Sequence, residues 1–307
     1  MREYRFAVAT AVATFVLLVI GGLVHPTGSS LACPDWPLCN GMYFPPMQGG
    51  ILYEHGHRLA ALAVAFLTVA LAVLVFRFRA ERSLRLMALG AVLLVGAQAV
   101  LGALTVIYKL PLPVSAGHLA TSMAFFSLVI TLAHRLRPDL PRAPARPRAW
   151  VALAAAAVYV QIILGALVRH TGSSLACGTD VLLCEGRLWP AWGPAQVHML
   201  HRLCGYLVAA LVLAAAGSTW RVTSPADPPL RRRLALLAPA LVVLQVALGL
   251  LTVFTYVALP VVTLHLATGA ALLATLLSLF FLLGPRGARV APPPKPGRLD
   301  DLAAVAG

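Results

Sequence analysis

The segment TGSSLAC at residues 27–33 occurs a second time, letter for letter, at residues 171–177. The same spacing of 144 residues carries HRL at residues 57–59 onto residues 201–203. Identical segments at a fixed spacing are the signature of a duplicated architecture. The sequence therefore predicts two tandem repeats of one folding unit.

The later matches between the repeats have a spacing of 147 residues. HLAT at residues 118–121 recurs at residues 265–268, and Gln98, Leu101-Gly102 and Thr105-Val106 recur as Gln245, Leu248-Gly249 and Thr252-Val253. The second repeat must therefore contain three additional residues, at a place equivalent to positions between 58 and 98 of the first repeat. The loop after the second helix is the expected place, because loops tolerate insertions better than helices do.

The composition is that of a membrane protein. The 307-residue chain is 60% hydrophobic and 11% charged, which is too apolar for an ordinary soluble domain. A spanning helix needs roughly 20 apolar residues, and eight segments qualify: about 6–24, 55–76, 86–107, 117–134, 150–168, 198–217, 234–256 and 263–284. We therefore predict an all-α integral membrane protein with eight transmembrane helices, built as two tandem four-helix bundles in the same orientation.

The net charge of +14 reports topology rather than a nucleic-acid partner. Most of the 24 lysines and arginines fall at the N-terminus or in alternate loops: Arg2, Arg5, Arg77, Arg79, Arg82, Arg85, Arg135, Arg137, Arg142, Arg146, Arg148, Arg221, Arg231, Arg232, Arg233, Arg286, Arg289, Lys295 and Arg298. The positive-inside rule then puts both termini in the cytoplasm of a bacterial cell, with the protein in its inner membrane. The lipid bilayer is the expected partner and nucleic acid is not, because no basic groove interleaved with aromatic residues is present.

A proline- and arginine-rich segment separates the two repeats. We predict an N-terminal repeat at residues 1–137, a cytoplasmic linker at 138–149, a C-terminal repeat at 150–285 and a cytoplasmic tail at 286–307. The prolines of the linker cannot continue a helix. Because each repeat has an even number of spans, both insert the same way up, unlike the inverted repeats of many secondary transporters.

Four of the five cysteines lie in the two long loops on the predicted outer side. Cys33 with Cys39 and Cys177 with Cys184 are the natural local pairs, and an oxidising compartment would permit both disulfides. The first disulfide could fold its loop over a site as a lid, or it could be a purely structural staple. Cys204 lies inside a helix and has no evident mate.

Ionisable residues within spanning helices are costly and indicate function. His57, His118, His201 and His265 each open an even-numbered predicted helix, so all four are expected near the outer surface. Cofactors in four-helix bundles are held between facing helices, so His57 with His118, and His201 with His265, could each ligate one haem iron. Helix capping is the alternative for a single histidine, and zinc would need more ligands than one pair supplies. His25, His55, His134 and His170 do not recur and are interpreted as loop or interface residues.

One difference between the repeats points to chemistry in the first. Glu54 precedes His57 by three residues, on the same helix face, whereas the matching position in the second repeat is His198. A carboxylate beside a haem could accept a proton or stabilise a developing cation. A solvated residue near a helix N-terminus is the alternative for Glu54.

These residues, together with TGS at 27–29, CPDWPLC at 33–39 and Glu54-x-x-His57-Arg58, resemble the haem A synthase family nearly from end to end. The resemblance implies that the first half binds haem O through His57 and His118 and oxidises its C8 methyl to a formyl group, yielding haem A. It implies that Glu54 is catalytic and that His201 and His265 ligate a haem b cofactor. The cysteine spacing departs by one residue between the halves.

The same resemblance implies a role in building haem-copper terminal oxidases. Haem O, the enzyme that makes it (haem O synthase) and a second copy of the chain are the expected partners, while the electron acceptor is not identified. Two other classes of protein stay open. A dihaem electron carrier of the cytochrome b type would also need four paired histidines, and a haem chaperone would use them for delivery.

Overall fold

The computed structural model describes residues 1–137, 143–144, 147–223 and 229–284, and the regular elements within them are helices apart from one very short strand pair. Most of the predicted linker and the whole of the predicted tail lie outside the described residues. The eight long helices are α1 Arg2–Val24, α2 Gly49–Phe78, α3 Arg82–Ile107, α4 Leu112–Leu136, α5 Arg148–His170, α6 Gly193–Arg221, α7 Pro229–Phe254 and α8 Leu259–Leu282. β1 Ala143–Pro144 pairs in parallel with β2 Leu283–Gly284, and a short 3-10 turn spans Ser173–Leu175.

All eight helices are long and apolar enough to cross a membrane, which confirms the predicted all-α class with eight spans. The shortest has 23 residues, about 35 Å at 1.5 Å per residue. That length exceeds the hydrocarbon thickness of about 30 Å. The chain is therefore a multi-pass membrane protein.

The helices extend beyond the apolar segments that predicted them. The even-numbered helices begin at Gly49, Leu112, Gly193 and Leu259, four to six residues earlier than predicted. The reason is that an apolar segment marks the hydrocarbon layer, whereas a helix continues into the polar interface. The prediction that the four paired histidines open their helices is therefore wrong, because each lies about two turns inside its helix.

The loop between the second and third helices explains the change in spacing between the repeats. In the first half α2 ends at Phe78 and α3 begins at Arg82, whereas α6 ends at Arg221 and α7 begins only at Pro229. The longer second loop contains the additional residues, so the predicted place of the insertion is confirmed.

The repeated TGSS motif makes the same turn in both halves. The Thr27 hydroxyl donates to the Leu23 carbonyl at 2.8 Å, and the Thr171 hydroxyl donates to the Leu167 carbonyl at 2.7 Å. The glycine that follows has a positive φ in both copies, +69° at Gly28 and +67° at Gly172. Glycine adopts this conformation without steric cost, and the chain leaves the helix in the same direction each time.

The helices pack in two closed rings of four. In the first half α1 packs on α2, α2 on α3, α3 on α4 and α4 on α1, and α5 to α8 close a ring in the same order. The halves meet through α1, α4, α5 and α8, where residues such as Met123, Phe126, Val151 and Leu273 form one apolar core. The assignment of separate roles to the two halves stays a prediction.

Candidate functional site

The two paired histidines of the first half lie on opposite helices of their ring. His57 is on α2 and His118 is on α4, and α1 and α3 lie between these helices on either side. Both residues are half-buried. Their imidazoles are close enough to interact electrostatically. The structure therefore brings together the pair that the sequence singled out.

The second half repeats this arrangement. His201 is on α6 and His265 is on α8, again with one helix between them on each side, and their imidazoles also interact electrostatically. His57 and His201 each follow the first residue of their helix by eight positions, and His118 and His265 by six. The two pairs therefore lie at matching depths in their bundles.

A glycine on the neighbouring helix contacts each of these imidazoles. A Cβ atom added to Gly21 on α1 would lie 2.9 Å from Cε1 of His57, and the corresponding distance from Gly165 on α5 to His201 is 3.2 Å. On α3 and α7, Gly102 would approach His118 to 3.5 Å and Gly249 would approach His265 to 3.2 Å. The odd-numbered helices thus supply the space in which the rings on the even-numbered helices lie.

The ring nitrogens fit a metal-bound group better than a structural role. The Nδ1 atoms of His57, His118 and His265 are buried and have no hydrogen-bond partner within the described residues. Buried polar atoms in native proteins are nearly always hydrogen-bonded, so three such atoms call for an explanation. A haem iron needs one nitrogen from each of two opposed imidazoles. The donor set of each half fits this requirement.

Replacing Gly21 with alanine is expected to weaken haem binding in the first half by roughly tenfold, the lower end of the effect of disturbing a group that orients a metal ligand. The added methyl group would meet the His57 ring at 2.9 Å, so the ring must turn away from its binding position. Haem titration of the purified protein measures the change. Gly96→Ala on α3 is the control, since a Cβ there has no atom within 4 Å. Equal affinities for both variants would contradict the proposed role of Gly21.

Glu54 is buried and anchors the loop between the first two cysteines. Its Oε2 accepts a hydrogen bond from the Cys33 backbone N–H at 2.9 Å, and its Oε1 accepts one from Arg58 at 2.6 Å. The side chain is only 6% exposed. The alternative of a solvated residue near a helix end is therefore wrong for Glu54.

Arg58 connects the same carboxylate to three carbonyl groups of the loop. It donates to the carbonyl oxygens of Asp35 at 2.7 Å, Leu38 at 2.6 Å and Cys33 at 3.0 Å. The Arg58 guanidinium is therefore held within the protein by the loop and by Glu54. Together, Glu54 and Arg58 hold the loop at residues 33–39 against α2.

The matching network in the second half contains no carboxylate. Arg202 donates from Nε to Nε2 of His198 at 3.1 Å and also bonds to the Asp180 carbonyl. His198 is buried, but it offers a neutral acceptor where Glu54 offers a charge. The replacement of Glu54 by His198 between the halves, which was predicted from the sequence, thus gives an ion pair in the first half and a neutral contact in the second.

Replacing Arg58 with methionine is expected to destabilise the protein by about 1–3 kcal/mol, the cost of leaving a buried acceptor without its donor. The variant keeps most of the apolar volume but leaves Glu54 without its cation. A lower thermal midpoint and faster proteolysis of the outer loop in detergent solution would measure the loss. Arg202→Met is the matched control and should cost less, because its partner His198 is neutral. An equal cost for the two variants would show that the ion pair adds nothing.

Both outer loops are closed by disulfides and have the same turn. Cys33 is bonded to Cys39 and Cys177 to Cys184, as predicted. Cys204 is a half-buried free thiol on α6. The second cysteine of each pair forms an antiparallel bridge three residues along the chain, with Met42 in one loop and Arg187 in the other.

Asp35 adds a pH-dependent contact to the first loop. The Gly41 N–H donates to Oδ2 at 2.8 Å and the Asn40 N–H donates to Oδ1 at 2.6 Å. These bonds, that of Gly41 foremost, hold the pKa of Asp35 below its ordinary value of 3.8. Their stabilising effect is therefore present above that value and is lost as the pH falls through the lower pKa of the folded state.

The remaining histidines lie outside both pairs. His55 is not a loop residue, because it is buried on α2 with its Nε2 3.0 Å from the Tyr43 carbonyl oxygen. His134 stacks on Phe281, and the rings of His25 and His170 meet where α1 and α5 end. Hydropathy gave no warning that His55 is buried, since it is the first residue of the predicted span at 55–76.

One further group of potential ligands is present in the first half. Within the described ranges, Cys33, Cys39 and His55 are the residues whose donor atoms cluster within 4.8 Å, as a three-ligand metal site requires. The two sulfur atoms are joined in a disulfide. Because metal ligation needs thiolates, this group holds no metal in the oxidised protein.

Comparison with known proteins agrees with this geometry. A family model described as "Cytochrome oxidase assembly protein" matches residues 4–51 and 48–277. A protein named "Heme A synthase" from Symbiobacterium thermophilum is 34% identical over 280 residues, covering 86% of this chain and 90% of the relative. A protein of the same name from Bacillus pumilus is 31% identical over 231 residues, covering 69% of this chain and 74% of the relative.

A third relative extends the match across another organism. The protein named "Heme A synthase" from Alkalihalophilus pseudofirmus is 29% identical over 270 residues, covering 85% of this chain and 90% of that protein. The ranges matched by the family model contain both histidine pairs and both cysteine loops. The chain therefore belongs to the heme A synthase family of cytochrome oxidase assembly proteins.

Proposed function

We propose that this chain is a haem A synthase, which oxidises the C8 methyl of haem O to a formyl group for the assembly of haem-copper oxidases. The observation that carries the proposal is the pair of opposed imidazoles in each half, each lying against a glycine of the next helix. The relatives named heme A synthase support haem A formation as the overall activity. The geometry of this chain supports two haem sites of equal depth, as a substrate and a cofactor would require.

The two halves have different roles, which follow from the charged Glu54 in the first half and the neutral His198 at the matching position of the second. His57 and His118 would hold haem O in the first half. There, Glu54 lies about 4.5 Å nearer the first residue of α2 than His57 does. His201 and His265 hold haem b in the second half, where no carboxylate stands at the matching position. Haem b, when bound, supplies a one-electron redox centre.

The reaction requires the removal of four electrons from one carbon atom. Two successive hydroxylations convert the methyl group into a geminal diol, and loss of one water leaves the aldehyde. Net, the methyl group and one water give the formyl group, four protons and four electrons. Residues that stabilise positive charge at the methyl carbon, or that accept its protons, would therefore lower the barrier.

Glu54 meets this requirement through its fixed position. Arg58 and the Cys33 N–H hold both carboxylate oxygens, so the charge needs no reorganisation when the reaction begins, the condition for effective electrostatic catalysis. The same two bonds keep the loop at residues 33–39 against α2. The loop then limits the access of water to the site, and its disulfide holds the loop closed.

The topology follows from the placement of charge. Most of the basic residues in the described part of the chain lie at the helix ends opposite the cysteine loops, for example Arg82 at the start of α3 and Arg148 at the start of α5. With these ends in the cytoplasm, the N-terminus is cytoplasmic. Both disulfides and both haem sites then lie toward the outer face.

A dihaem electron carrier is the second candidate, because the two histidine pairs match so closely. Such a carrier would hold two permanent haem b groups and would have no use for Glu54. The presence of a buried carboxylate in only one half favours the synthase.

Extraction and mass analysis of haems from the purified protein test this choice. The protein should be produced with and without a supply of haem O. A synthase will contain haem A beside haem B only when haem O is supplied. Haem B alone in both preparations would favour the electron carrier, and bound haem O that is never converted would favour a haem chaperone.

A further inference from the structure

Glutamine side chains contact both ligand imidazoles of the second half. On α5, the Gln161 Nε2 donates to the His201 carbonyl oxygen at 2.8 Å and lies 3.0 Å from Nδ1 of the same residue. On α7, the Gln245 Nε2 lies 3.3 Å from Nε2 of His265. Each proposed haem b ligand therefore has an amide from the preceding helix against its ring.

Two glycines make room for these amides. Gly205 and Gly269 each lie four residues after the ligand histidine on the same helix. A Cβ on Gly205 would lie 3.1 Å from the Gln161 Nε2, and one on Gly269 would lie 3.3 Å from the Gln245 Nε2. The glutamine and the glycine thus form a matched pair at each ligand.

The first half lacks both arrangements at the matching positions. Leu17 stands in place of Gln161, and Ala61 stands in place of Gly205. Gln98 matches Gln245, but its Oε1 accepts a hydrogen bond from the Ser122 hydroxyl at 2.7 Å, and Ser122 occupies the position of Gly269. Neither His57 nor His118 has a glutamine hydrogen bond within the described residues.

The side-chain oxygens of Gln161 and Gln245 accept no hydrogen bond from any described residue. Both of these Oε1 atoms are buried. Leaving a buried acceptor unpaired is unfavourable. When one imidazole nitrogen binds iron, the other carries a proton that it can donate. Rotation of the glutamine side-chain amide would bring its unpaired oxygen to that N–H group.

We propose that Gln161 and Gln245 are positioning residues that retain the haem of the second half, and that the lack of glutamine contacts to His57 and His118 lets the first half exchange its haem. The inference rests on the proposed function, in which haem O must enter and haem A must leave while haem b stays. An acceptor for the imidazole N–H fixes the ring and makes the ligand more electron-rich, and losing such a partner typically costs 10–100-fold in metal affinity.

Exchange of the glutamine pair between the halves tests the proposal. The full chain with Gln161→Leu and Gly205→Ala reproduces the Leu17–Ala61 pair in the second half. His57→Ala in the same protein empties the first site, so that the second haem alone is observed. Transfer of this haem to excess apomyoglobin should be at least about tenfold faster than in the His57→Ala parent. Its reduction potential should rise, because a less electron-rich ligand stabilises oxidised iron less.

Three further variants make the outcome decisive. Gln161→Glu keeps an acceptor and should keep transfer slow, and Gly217→Ala on α6, where a Cβ meets no atom within 4 Å, should change nothing. Leu17→Gln with Ala61→Gly, in a His201→Ala protein, should slow haem release from the first half. Unchanged transfer and potential in the Gln161→Leu, Gly205→Ala protein would overturn the inference. If His201→Ala alone leaves the haem content intact, the proposed haem site itself is wrong.

Discussion

Replacing His201 with alanine is expected to abolish haem b binding while the first half still binds haem O. A haem held by two histidines loses half of its protein ligation when one is removed. His57→Ala should give the reverse result, with haem b retained and neither haem O nor haem A present. Haem extraction with separate quantification of each haem type measures both outcomes.

The two variants also control for one another. Each disturbs one ring of four helices and leaves the other ring unchanged, so a selective loss cannot be caused by general unfolding. His170→Ala is a further control, because this histidine lies at the end of α5 outside both pairs, and it should leave both haems in place. Equal loss of both haems in the His201→Ala protein would instead indicate one shared site or a misfolded chain.

The number of helices and the pairing of the histidines could be predicted from the sequence because both depend on local properties. Hydropathy identifies a span wherever the apolar segment is long enough, and the repeat shows which histidines belong together. The starts of α2 and α6 could not be predicted in this way. Their first turns contain polar and glycine residues, and they become helical through contacts with the outer loops.

Only some of the contacts of Glu54 could be predicted from the sequence. The spacing of Glu54 and Arg58 is that of an ion pair on one helix face, a signal that sequence reasoning missed. The bonds from Arg58 to carbonyls about twenty residues earlier depend on how the loop folds back. The contacts between glycines and imidazoles could likewise be predicted only in part. Gly21 recurs as Gly165 at the spacing of the repeat, but only the packing of neighbouring helices shows that each lies against an imidazole.

Replacing Glu54 with alanine is expected to lower the rate of haem A formation by about 100-fold or more, the effect of removing one fixed electrostatic group from an active site. Neither haem loses a ligand, so the content of haem b and the binding of haem O should persist. The rate of haem A appearance in membranes supplied with haem O measures the effect, with the haem content determined on the same samples.

Alanine at position 54 removes a loop anchor as well as a charge, so the two effects must be separated. Glu54→Gln keeps one oxygen, which can accept from either Arg58 or the Cys33 N–H, so it should lower the thermal midpoint less than Glu54→Ala does while still lowering the rate. His198→Ala changes the matching position of the second half and should leave the rate near that of the parent. If the glutamine variant forms haem A at the parental rate, the carboxylate has no part in the chemistry and serves only to hold the loop against α2.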